Sequence, residues 1–266
     1  MLTSLKNPLV KQIRKLGQTK ERRSQQRFLI EGTHLLEAAC SVKYPIEIVC
    51  YTALWQEQHP QLWQQAIAQA ERHEQVAPEV LKAMATTVTP DGVIATARYA
   101  PDEAYYPCPS QPQLGLVLET IQDPGNLGTI IRTAVAANAD GLWLSEDSVD
   151  LAHPKVLRST VGQWFNLPMQ VSPNLPEQID QWRRADIQIL ATAAAASKNY
   201  WSCDLSRPTV LLLGNEGGGL SPALAERATD IINIPVSPKV ESLNVAIAAA
   251  VILFEAQRQR QNRSDR

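Results

Sequence analysis

The chain has 266 residues, 44% of them hydrophobic and 20% charged, enough length and apolar content for one large domain or two ordinary ones with sizeable cores. No stretch approaches the roughly eighteen consecutive apolar residues of a membrane span, and the opening MLTSLKNPLVKQIRK lacks the apolar core of a secretory signal, so a cytoplasmic protein is expected. The net charge of −2 argues against a nucleic-acid partner, yet residues 1–30 carry eight Lys and Arg against Glu21 alone, a local +7 that leaves −9 for the rest.

That basic arm includes Lys11, Arg14, Lys15, Lys20, Arg22, Arg23 and Arg27, the residues expected to meet RNA phosphates; a solvated basic helix is the alternative. Apolar periodicity then predicts a helix over 8–16, a strand at 28–30, a helix over 33–40 and a strand at 46–50. A helix over 61–72 and a strand at 93–96 follow, giving a small α/β domain over 1–98. Cys40, Cys50, Cys108 and Cys203 are scattered, without a CxxC pair or a His/Cys cluster, so packed thiols are expected and neither a metal nor a disulfide. His34, His59, His73 and His153 are equally isolated and read as surface or capping residues.

Residues 99–112, YAPDEAYYPCPSQP, contain four prolines, which fit neither a helix interior nor a central strand, and read as a linker. Beyond it, over 113–266, short apolar runs at 114–118, 142–144, 169–171, 187–191, 210–213 and 231–234 alternate with helical patterns. That alternation predicts a mainly parallel sheet with helices on both faces, whose chemistry belongs in the loops at the carboxyl ends of the strands.

Three such loops stand out. After 114–118 comes ETIQDPGNLGTIIRTAVAANADG, where Asn126 suits a helix N-cap and Arg132, four residues from Gly128, would place a guanidinium over an open glycine. After 210–213 comes GNEGGGLS. A phosphate loop needs Lys after its last glycine and a dinucleotide loop needs GxGxxG; Leu220 and the spacing of Gly214, Gly217, Gly218 and Gly219 exclude both. Glu216 would repel a pyrophosphate and suits a cationic or hydroxyl-bearing ligand. After 231–234 comes PVSPKVESLNV, where Ser242 or a neighbour caps an alanine-rich helix, apolar nearly all round and destined for the core or for another chain. The Gln/Arg-rich exit EAQRQRQNRSDR reads as a fraying helix end.

NLGTIIR, LGNEGGGLS and IPVSPKVESLNV, in this order, resemble the three motifs of the SpoU (TrmH-like) branch of the SPOUT RNA methyltransferases. NPLVKQIRKL, the Arg22 region and FLIEG at 28–32 resemble the ribosomal-protein-like RNA-binding domain found in that family, so the resemblance covers nearly the whole chain. It implies methyl transfer from S-adenosylmethionine to a ribose 2′-hydroxyl of RNA, a trefoil knot formed by the second and third motifs, and a homodimer through the first-motif and last helices. It also implies that Leu213, Gly214, Glu216, Gly217, Gly218, Ile234, Pro235, Leu243 and Asn244 line the cofactor pocket, with loop amides facing the cofactor. Asn126, Arg132, Glu216, Ser242 and Asn244 match the positions tied to activity. A guanidinium is a poor proton acceptor, so Arg132 is expected to stabilise the developing alkoxide or clamp a phosphate. Pro238, Val236 and Thr160 stand where the resemblance has glycine, methionine and serine. Ribosomal RNA is the expected substrate, with the basic arm adding salt-sensitive affinity. A transfer-RNA methyltransferase and a non-catalytic RNA-binding or ribosome-assembly protein are the alternatives, and a nicotinamide or nucleotide enzyme fits the fold but not the glycine spacing.

Overall fold

This computed structural model describes residues 1–98 and 107–264, so the 99–106 stretch of the expected linker lies outside the described residues. The chain divides into two units, residues 1–105 with 150–166, and residues 106–149 with 167–266.

The first unit contains α1 (Pro8–Lys15), α2 (Thr19–Gln25), β1 (Arg27–Glu31), α3 (Thr33–Ser41), β2 (Ile46–Tyr51), α4 (Ala53–Gln58), α5 (Pro60–Gln69), β3 (Ala70–Gln75), α6 (Pro78–Met84) and β4 (Val93–Arg98). Its sheet runs β1-β4-β2-β3, antiparallel except for the β2–β3 pair. Both faces are covered, which is why β1 is apolar without alternation: Phe28 and Ile30 pack with Leu36, Val49 and Trp55, while Leu29 packs with Val10 and Ile13 of α1 and Leu81 of α6. The helix expected over 61–72 stops at Gln69, and Ala70–Gln75 pairs with β2 instead. The polar AERHEQ carries no strand pattern of its own; the open edge of β2 supplies its backbone partners.

In the second unit, β5 (Leu114–Leu118) leads into α7 (Pro124–Ala136) and β6 (Gly141–Ser145). Residues 150–166, with α8 (Pro154–Ser159), then belong to the first unit, where Ala152, Leu157 and Phe165 join the Phe28 cluster. The chain continues through β7 (Met169–Ser172), α9 (Leu175–Arg184), β8 (Gln188–Thr192), β9 (Lys198–Asn199), β10 (Thr209–Leu213), α10 (Pro222–Ala225), β11 (Asp230–Asn233) and α11 (Val245–Ser264). The seven strands are all parallel in the order β7-β6-β5-β10-β8-β11-β9. From β5 the chain moves outward to β6, and from β10 it moves the other way to β11, so the direction of winding reverses between β5 and β10. A crevice opens at the carboxyl ends of strands at such a point.

α11 packs on α7, with Ala246, Ala249, Ile252, Leu253 and Ala256 buried and Ile247 and Phe254 half-exposed. The Gln/Arg-rich stretch, expected as a fraying end, is helical through Ser264 and tied to the second unit by two of its side chains. Gln259 accepts from the Leu205 N–H at 2.8 Å, and Arg260 donates to the carbonyls of Leu205, Arg207 and Gln113 at 2.6 to 3.0 Å.

Candidate functional site

The loop after β5 and the loop after β10 meet at the reversal point. The N-cap of α7 is Asp123, not Asn126: its Oδ1 accepts from the N–H groups of Gly125 and Asn126, and Pro124 takes the first helical position. Capping by Asp123 frees the Asn126 side chain. Asn126 Nδ2 donates to Glu216 Oε1 at 2.9 Å, and Asn126 Oδ1 accepts from Asn244 Nδ2 at 2.9 Å. Asn244, not Ser242, caps α11, its Oδ1 accepting from the N–H groups of Ala246 and Ile247. The cap fixes which end of the Asn244 amide can donate, that fixes the Asn126 amide, and Asn126 must then donate to a carboxylate. One residue from each of the three motifs is thereby locked into a single chain, Glu216–Asn126–Asn244.

Burial alone would push the Glu216 carboxyl up, but hydrogen bonds from Asn126 and from the backbone N–H groups of Glu216, Asp123 and Gln122 outweigh it and hold the group below the usual carboxylate range. A carboxylate over the first turn of α7 also complements the helix dipole.

The glycine-rich loop is organised by Asn215, which the motif reading passed over. Its Oδ1 accepts from the N–H groups of Gly217 and Gly218 at 2.8 and 3.0 Å, its Nδ2 donates to the Thr120 carbonyl at 2.8 Å, and its backbone exchanges both hydrogen bonds with Gly219. The N–H groups of Gly217, Gly218 and Gly219, expected to face a cofactor, are here taken up by Asn215 within the loop. An asparagine between Gly214 and Glu216, two residues ahead of a run of three glycines, is a turn signal that could have revealed this. Glu119 holds the far end, accepting from Ser221 N and Oγ at 2.7 and 2.6 Å. Gly214 must be glycine because a Cβ there would lie 2.1 Å from the Gly219 carbonyl carbon, whereas a Cβ on Gly219, at φ +68°, would meet open space.

Of the remaining expected residues, Leu213 and Gly214 are buried at the end of β10, Ile234 and Leu243 are half-buried, and Pro235 and Ser242 are exposed. Arg132 is exposed on α7, whereas Gly128 is buried, so the open glycine expected beneath the guanidinium is already covered by packing. Among the described residues, no hydrogen bond or ion pair joins Arg132 or Ser242 to the Glu216–Asn126–Asn244 chain.

Open space lies over Gly219, and the side-chain oxygen of Asn233 at the end of β11 is buried without a donor. Half-buried Ile234 and Leu243 supply apolar contact.

In the first unit, Lys11, Arg14, Lys15, Lys20 and Arg23 are exposed, as phosphate contacts require. Arg22 is corrected. It is 1% exposed and held by Asp150 Oδ2 at 2.6 Å, with further bonds to the Leu16 carbonyl and Thr19 Oγ1, so it is structural and closed to RNA. Arg27 lies bidentate on Glu47 at 2.5 and 2.9 Å, which occupies its guanidinium. Cys40, Cys50 and Cys203 are buried and Cys108 half-buried, all as free thiols; burial pushes Cys50 up to about 12. His153 caps α8 through Nδ1.

Residues 113–254 match the model of the SpoU rRNA Methylase family, and residues 7–95 match the MRM3-like substrate binding domain. A tRNA/rRNA methyltransferase of Synechocystis is 47% identical, over 97% of this chain and 93% of its own. The 23S rRNA (guanosine(2553)-2′-O)-methyltransferase of Bacillus subtilis is 33% identical over 95% and 97%. An AdoMet-bound rRNA methyltransferase from Sinorhizobium meliloti superposes with a TM-score of 0.84 at 34% identity, over 97% of each chain.

Proposed function

The chain belongs to the SpoU rRNA Methylase family, and from that membership we propose that it transfers a methyl group from S-adenosylmethionine to a ribose 2′-hydroxyl of ribosomal RNA. The observation that carries the reading is the Glu216–Asn126–Asn244 chain, which gathers all three motifs at the sheet's reversal point. S-adenosylmethionine supplies a methyl group activated by its sulfonium. The protein's task is to hold the hydroxyl in line with it. The crevice over Gly219, with the donorless Asn233 oxygen and with Leu213, Gly214, Ile234, Pro235 and Leu243 around it, is assigned to the cofactor. Asn126, Glu216 and Asn244 form the rigid floor beside it. Exposed Arg132 meets the target nucleotide, stabilising the alkoxide or clamping a phosphate, and Ser242, two residues before the Asn244 cap, contributes a hydroxyl.

Lys11, Arg14, Lys15, Lys20 and Arg23 give the first unit its phosphate-binding face. Ribosomal RNA is favoured over transfer RNA because the match to a substrate-binding domain covers that unit and because the Bacillus subtilis relative, similar over its whole length, is named for 23S rRNA. The reading includes a homodimer through α7 and α11, supported by Ile247 and Phe254, which lie two turns apart on one face of α11 and are 51% and 48% exposed. It also includes a knotted path through the second and third motifs and a cytoplasmic location. Mapping of 2′-O-methyl positions in total RNA by mass spectrometry, from cells with and without the gene, tests the reading. Loss of one ribosomal position is the expected result, and an unchanged RNA complement sinks it.

A further inference from the structure

The chain has six tryptophans, and five are packed: Trp55, Trp143 and Trp182 are 1% exposed, and Trp63 and Trp164 lie against the first unit's core. Trp201 is 63% exposed. A large apolar ring left in water is a free-energy cost that burial against a partner would remove.

Its backbone is nevertheless fixed. Trp201 sits in a single 3-10 turn, Tyr200–Ser202, capped by Asn199, whose Oδ1 accepts the Trp201 N–H at 3.1 Å while its carbonyl accepts from Ser202 Oγ at 2.7 Å. Buried Tyr200 anchors the turn from below, its ring 5.4 Å from the indole. A rigid turn presents the ring, so little ordering entropy is lost when something stacks on it.

The turn's place in the sheet narrows what that something is. β9 is an edge strand parallel to β11, with Asn199 paired to Asn233. With Asn199 and Asn233 paired across about 4.8 Å, the chain leaves β9 towards Trp201 at the same end of the sheet at which it leaves β11 towards Ile234 and Pro235, the carboxyl edge that holds the candidate active site. Apart from Tyr200 and Cys203, which are buried, its neighbours in sequence are polar, Lys198, Asn199 and Ser202, unlike the apolar surround of Ile247 and Phe254 on α11. An isolated flat ring in polar company fits a nucleobase, whose faces stack while its edges stay hydrated.

We propose that Trp201 is a stacking platform for an unpaired base of the RNA substrate, flanking the methyl-transfer site. This rests on the RNA methyltransferase reading above. Because every base has a π-face, the platform contributes affinity for a single-stranded or flipped-out segment and not sequence recognition.

The test uses the intact protein, a fluorescein-labelled oligouridylate about ten nucleotides long, a poly(A)·poly(U) duplex, and Trp201→Ala and Trp201→Phe. In the wild type the oligouridylate should quench the exposed indole's emission and the duplex should not. Trp201→Ala should weaken oligouridylate binding, read by anisotropy, and raise KM for protein-free ribosomal RNA by roughly 5- to 150-fold with kcat nearly unchanged; Trp201→Phe should keep most of both. Unchanged RNA affinity and KM in Trp201→Ala would overturn the proposal, and so would a change in sedimenting mass in place of RNA affinity, which would mark the ring as a protein contact. If the wild type transfers no methyl to any RNA, the enzymatic reading fails, while quenching still reports on Trp201 alone.

Discussion

Asn215→Ala tests whether the glycine-rich loop is pre-shaped for its ligand. The substitution deletes two acceptor contacts, from the N–H groups of Gly217 and Gly218, and one donor contact to the Thr120 carbonyl. A net intramolecular hydrogen bond contributes about 0.5–1.5 kcal/mol, and the lower end applies to the two glycine amides because both residues are exposed. The loss is then roughly 1.5–2.5 kcal/mol, most of it local. The released glycines regain backbone freedom that binding must remove again, and the penalty is bounded by the hydrogen-bond energy that had held the loop in one conformation. S-adenosylmethionine affinity measured by calorimetry should therefore fall about 10- to 100-fold, at 1.4 kcal/mol per decade. Because the loop lies outside the core, Tm should drop by no more than about 10 °C. Asn215→Asp keeps both acceptor contacts but sets a carboxylate oxygen against the Thr120 carbonyl, and should lie between the two. Wild-type affinity in Asn215→Ala would refute the idea that this side chain organises the loop.

Arg22→Ala should destabilise the first unit by about 3–5 kcal/mol, because it takes the guanidinium from the 5%-exposed Asp150 carboxylate, and chemical denaturation would show it. Lys11→Ala or Lys15→Ala should leave the denaturation midpoint unchanged while lowering the salt slope of RNA binding by about one each. Arg132→Ala should lower kcat by at least about 100-fold with S-adenosylmethionine affinity retained; near-normal turnover would remove Arg132 from the chemistry. Burial alone would raise the Glu47 carboxyl, but hydrogen bonds from Arg27 and Arg98 outweigh it and hold the group below its ordinary value. Its stabilisation is thus complete above the ordinary carboxylate range and lost as pH falls through the lowered value. The stability gap between wild type and Glu47→Gln should be widest near neutrality and close in acid; a gap constant with pH would contradict this.

The sequence by itself determined the apolar strands and the loops after β5, β10 and β11, though not the polar β3 or the two-residue β9. LGLVL and TVLLL are apolar at every position because helices cover both faces of a parallel sheet, so the strands could be placed within a residue or two. Glycine and proline after β5, β10 and β11 marked the three active loops, since turn chemistry is local. What the sequence left open is who bonds to whom. Arg22 and Arg23 are adjacent and chemically alike, yet one is buried and the other exposed, because Asp150 arrives from 128 residues away to neutralise only the first. Asn126, Asn215 and Asn244 carry the same side chain; only the convergence of two loops and two helix ends made one a link to Glu216, one a loop clasp and one a cap. Residues 150–166 follow the second unit's pattern in sequence but complete the first unit's core. Apolar periodicity is written along the chain, whereas the partner of a polar side chain is set by what folding brings beside it, and that only the tertiary structure decides.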